Sequence, residues 1–196
     1  MRRTALVLKE GPRRTLVHQG YNAYYGCDLA SNRAYPLGSY GATPADDDVY
    51  NLTLNGSVLA YAIQPACPLA GENRCGGTAF ALVQAIDLQT GKLIRSARLN
   101  NCGAGEAPGR PDCFNSVTGL VVSPTGGLAW IEGSEGFGPY SVHRSDQPAA
   151  PGQDVPSDND WLGHNEAGEV DPNSLHYDGS EITYVRGGQV QRAPLQ

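Results

Sequence analysis

The chain has 196 residues, with 25 Gly, 14 Pro and a net charge of −6. That length suits one domain with a real core, spanning residues 1–196. The acidity argues against nucleic acid, where a basic stripe is needed, and no apolar run approaches the roughly 20 residues of a membrane span. Abundant turn formers, 10 Tyr and a single Met favour many short strands over long helices, an all-β chain.

The N-terminal "RTALVLKE" (3–10) reads as a strand and lacks the apolar core of a signal peptide. Next comes "CDLASNRAYPL" (27–37), a hairpin turning at Asn32, a residue type that tolerates the left-handed backbone. Asp46, Asp47 and Asp48 precede the strand at Val49. "LTLNGSVLAYA" (52–62) is a second hairpin, its Asn-Gly supplying the positive φ of a tight turn. "NLT" (51–53) and "NGS" (55–57) scan as glycosylation sequons inside this strand and turn, and are read as chance matches.

Cys67 and Cys75 then bracket a turn-rich stretch, as Cys102 and Cys113 do further on. Neither has a Cys-x-x-Cys pair or an adjacent His, so two local disulfides are expected rather than zinc. Cys27 is left over as a small buried apolar residue. Disulfides imply an extracellular or cell-surface chain whose leader has been removed. Between the two stretches lies "IDLQTGKLIRSARL" (86–99), a hairpin turning at Gly91. "LVVSPTGGLAWIE" (120–132) and "LHYDGSEITYV" (175–185) repeat the 52–62 pattern, each closing on an aromatic. "YSVHRSD" (140–146) and "GGQVQRAPL" (187–195) stand where the 27–37 pattern is due.

Hairpin plus hairpin makes a four-stranded unit of about 40–50 residues, a propeller-blade period. On these repeats the chain resembles β-propeller repeat proteins of the WD-repeat and Tol-Pal-associated kind. Through "YYGCDLASNRAYPLG" (24–38) it is similar to secreted, uncharacterised actinobacterial propeller-like proteins. The resemblance implies about four antiparallel blades, with strand 3–10 completing the last unit and closing the ring. A β-sandwich or an open propeller fragment is the alternative.

On that scheme the long connections 38–49, 62–79, 100–116, 132–139 and 145–172 share one face and hold 15 of the 20 acidic residues. A cation, a basic protein or a carbohydrate would be the expected partner there. Within them "DNDWLGHNEAGE" (158–169) has acids at EF-hand offsets, but Leu162 replaces a ligand and Pro and Gly preclude the entering helix. A weak calcium site from Asp158, Asp160, Glu166 and Glu169 is therefore the expectation, against the plainer reading of a solvated acidic loop. Trp161 would be a lid or stacking platform. With Asp46, Asp47, Asp48 and His164 it completes the candidate binding face. The leading functional expectation is a non-catalytic binding or scaffold module. The alternatives are a propeller hydrolase or lyase, with carboxylates and His164 at the channel mouth, and a structural subunit that self-assembles through an exposed strand edge. No nucleophile motif or phosphate loop is present in the sequence.

Overall fold

The computed structural model describes residues 5–10, 15–20, 23–39, 48–64, 82–99, 115–134, 140–147, 160–163 and 170–196. Every regular element among them is a strand, and among them no helix is long and apolar enough to cross a membrane. The all-β expectation therefore holds.

The first sheet runs in chain order through β1 (Ala5–Glu10), β2 (Thr15–Gly20), β3 (Ala23–Asp28), β4 (Arg33–Ser39), β5 (Asp48–Asn55), β6 (Val58–Gln64), β7 (Leu82–Asp87) and β8 (Lys92–Arg98). It is two antiparallel meanders joined by a single parallel bridge, Ser39 to Asp48. The second sheet has four strands, β9 (Asn115–Val122), β10 (Leu128–Ser134), β11 (Ser141–Ser145) and β12 (Asp160–Gly163). The third has three: β13 (His176–Tyr177), β14 (Glu181–Arg186) and β15 (Gln189–Pro194).

The turn residues form the hairpins as their chemistry dictates. Asn32 takes φ 53°, and Gly56, Gly91, Gly126 and Gly179 take φ between 63° and 107°, values that Gly adopts without a Cβ penalty.

The closed array of four blades is not observed. Among the described residues the sheets are unequal, with eight, four and three strands, and none closes on itself. Strand β1 does not complete the last unit; it pairs with β2, from Ala5 opposite Gln19 to Glu10 opposite Thr15. A hairpin across four residues closes a far shorter loop than a pairing across the whole chain, so the local partner wins on loop entropy.

The disulfide expectation is corrected too. No disulfide is present among the described residues, where Cys27 is a free thiol; Cys67, Cys75, Cys102 and Cys113 lie outside them. The described sheets are held instead by buried apolar faces. Side chains on alternate sides of β6 enter two cores. Leu59 and Tyr61 meet Leu37, Ile86 and Leu88, while Val58, Ala60 and Ala62 meet Val122, Leu128 and Trp130. On β10, Leu128 and Trp130 face the first sheet; Ala129 and Ile131 face Ile182, Tyr184 and Leu195 near the third. Strands buried on both faces read as unbroken apolar runs, here "VLAYAI" and "LAWI". The alanines Ala60, Ala62, Ala85 and Ala97 leave room for Trp130 in one cluster. Burying an indole removes roughly 200 Å² from water, at most about 5 kcal/mol.

Polar clasps fix the layers in register. Asn51, at φ 49°, donates its side-chain amide to the Val117 carbonyl, and Asn55 donates to Val122 O at 2.9 Å. The buried Arg95 guanidinium reaches Gly126 O at 3.1 Å and Gln147 O at 2.6 Å. Both sequon asparagines thus spend the nitrogen a glycan would need on holding β5 to β9.

Candidate functional site

A buried polar cluster lies inside the second sheet. Trp130 and Glu132 sit two apart on β10, and Ser141 and His143 two apart on β11, so each pair shares a face. The register sets Trp130 opposite His143 and Glu132 opposite Ser141. Trp130 Nε1 donates to Glu132 Oε2 at 3.0 Å. His143 Nε2 lies 2.9 Å from Ser141 Oγ and 3.4 Å from Glu132 Oε1. Trp130, Glu132 and His143 are at most 1 % exposed.

Ser, His and a carboxylate together suggest nucleophilic catalysis, but the geometry is wrong for it. A relay needs the serine on one ring nitrogen and the carboxylate on the other; here Nε2 meets both. Burial also denies a substrate access to the histidine. The cluster is an internal hydrogen-bond network that specifies how β10 and β11 align. Its sequence signal is two-residue alternation in "WIE" and "SVH", which assigning 132–139 to a long connection passes over.

Of the binding-face and calcium candidates singled out from sequence, Asp48, Asp160 and Trp161 fall among the described residues. Asp160 and Trp161 fall in β12, where the Trp161 backbone lies opposite His143 and that of Asp160 opposite Arg144. Part of the 158–169 dodecamer is therefore a strand rather than a loop. Asp48 opens β5 at the bridge to Ser39. Asp46, Asp47, Asp158, His164, Glu166 and Glu169 lie outside the described residues. Among the described residues no group of three or more His, Cys, Asp or Glu is placed to hold a metal ion. Cys27 is half-buried, and that burial pushes its thiol up, away from the reactive thiolate.

The second arrangement is the side of β15 that pairs with no strand among the described residues. Leu195 N donates to Ser180 O at 3.0 Å, so odd-numbered residues of this strand turn their backbone groups toward β14. Val185, on the alternate set of β14, bonds away from β15: its carbonyl accepts from Asp171 N at 3.1 Å and its N–H donates to Ser174 Oγ at 2.8 Å. Val190, Arg192 and Pro194 consequently direct their backbone groups outward. Pro194 has no N–H, and its carbonyl accepts from Arg144 at 2.9 Å. The Val190 side chain is 63 % exposed. Arg192 pairs with Glu181 at 3.5 Å and Asp178 at 4.0 Å. The backbone N–H groups of Glu181 and Ser180 hold the Asp178 carboxyl below the usual carboxylate range.

Compared with known proteins, the chain matches no family model, no curated protein and no solved structure.

Proposed function

We propose that the protein is a non-catalytic structural subunit that associates through the free edge of β15. The observation that carries this reading is how the six edge strands differ. The ladders of β1, β8, β9 and β12 with their neighbours are each interrupted by a register shift, and β13 is two residues long. Bulges and shortness are how sheets protect their edges. The β14–β15 ladder runs through six consecutive pairs without a shift, and among the described residues no strand pairs with the far side of β15. The convergent Glu132, His143 and Ser141 are meanwhile committed to internal bonds, so this cluster offers no catalytic group; His164, on which the hydrolase alternative rests, lies outside the described residues.

Sedimentation velocity across a concentration series tests the proposal. So short an edge implies weak association, on the order of 0.1–1 mM, seen as a rising weight-average sedimentation coefficient. Arg192→Pro removes an outward N–H while leaving the ladder to β14 intact, as Pro194 already does. It should abolish the rise. Ideal monomer behaviour of the wild type to millimolar concentration would reject the reading.

A further inference from the structure

We infer that the occupant of this edge is a second copy of the same chain, docked antiparallel about a twofold axis at Gln191; this rests on the reading of β15 as the associating edge. The argument is one of matching donors and acceptors. Val190 and Arg192 each direct one N–H and one C=O outward, while Pro194 lacks a donor and its carbonyl is held by Arg144. Setting Val190 of one copy opposite Arg192 of the other makes two reciprocal pairs, and every one of these outward groups on both copies is satisfied.

Neighbouring registers do worse. A shift toward the C-terminus places Arg192 opposite its own copy, a like-charge contact, and sets Val190 against the donorless Pro194. A shift toward the N-terminus sets Arg192 against Gly188, which with Gly187 forms the turn at φ 74° and 56° and has left the strand. The chosen register is also compatible in charge and apolar surface. Each arginine keeps its own Glu181 and Asp178, and its aliphatic stem lies beside the partner's exposed valine. The third sheets of two copies then form one continuous six-stranded sheet, an isologous C2 contact.

Cysteine cross-linking reads the register directly. Between the two reciprocal pairs, Gln191 meets its own copy as a non-hydrogen-bonded pair, with Cα atoms about 4.5 Å apart, within disulfide range. Gln191→Cys, oxidised with diamide and mapped by peptide mass spectrometry, should give a 191–191 linked dimer. Val190→Cys should give at least tenfold less of its own symmetric product. Far-UV circular dichroism checks that both variants keep the wild-type fold. If sedimentation shows association lost in Arg192→Pro but no preference for the 191–191 linkage, the twofold register is wrong and the associating edge stands. If the wild type does not associate at all, both fall.

Discussion

Trp130 and His143 face each other across β10 and β11, ring centroids 5.2 Å apart and planes 12° from parallel. Glu132 ties both rings together, accepting from the indole and lying 3.4 Å from the imidazole. Glu132→Gln keeps an acceptor of the same shape and should cost about 1 kcal/mol. Glu132→Leu strands buried donors and should cost about 2–4 kcal/mol. Urea unfolding measures both; equal losses would mean that the carboxylate only fills space.

Gly91 and Gly179 separate two costs that a turn glycine avoids. Both have positive φ, +72° and +107°. A Cβ at Gly179 meets nothing within 4 Å, whereas one at Gly91 would stand 2.1 Å from Tyr35 Cε1. Gly179→Ala should therefore cost about 1 kcal/mol from backbone strain alone. Gly91→Ala should cost about 2–4 kcal/mol, with overpacking added. Adding Tyr35→Ala to Gly91→Ala should recover the overpacking share in a double-mutant cycle; strictly additive losses would place the strain in the backbone.

The hairpins were legible because their information is local. Asn-Gly at 55–56, Asp-Gly at 178–179 and the turns at Asn32 and Gly91 each dictate a chain reversal from adjacent residues, and all are observed. How the hairpins assemble was not written in the same way. Repeat spacing suggested equal units and a ring, yet one bridge at Ser39–Asp48 merges two meanders and β1 folds back on β2. The buried Glu132–His143 pair was hidden because ten intervening residues of another composition separate its halves, and only strand alternation aligns them. The β15 edge was half visible: "QVQRAPL" promised a last strand, but the bulges on other described edges that set it apart come from register, which composition does not specify.

Asn55 offers a sharper test of how β5 is clasped to β9. Its amide donates to Val122 O at 2.9 Å, and β5 packs along β9. Asn55→Ala should cost about 1 kcal/mol by losing one hydrogen bond. Asn55→Asp is nearly isosteric but sets a carboxylate against a carbonyl oxygen, and should cost more, about 2–3 kcal/mol at neutral pH. Thermal unfolding at pH 7 ranks the two; an aspartate more stable than the alanine would show that the amide bond is not formed in solution.

Tyr61 makes alkaline stability a readout of the core shared by the two halves of the first sheet. Its hydroxyl donates to Gln84 Oε1 at 3.0 Å, and burial pushes the phenol up to about 12 from roughly 10 in an unfolded chain. The folded value is the higher one. The neutral phenol's contribution is therefore fully present below pH 10 and is lost as pH rises through about 12, because the unfolded chain releases its proton first. Two pH units correspond to roughly 2–3 kcal/mol at most. Tyr184 and Tyr177 are also raised by burial, so a residual slope from other tyrosines is expected. Tyr61→Phe should lose about 1 kcal/mol at pH 7, the worth of one hydrogen bond. Between pH 10 and 12 its urea midpoint should fall less steeply than that of the wild type, so that the two curves converge. Parallel curves over that range would mean that Tyr61 ionises as readily in the folded protein as in the unfolded chain.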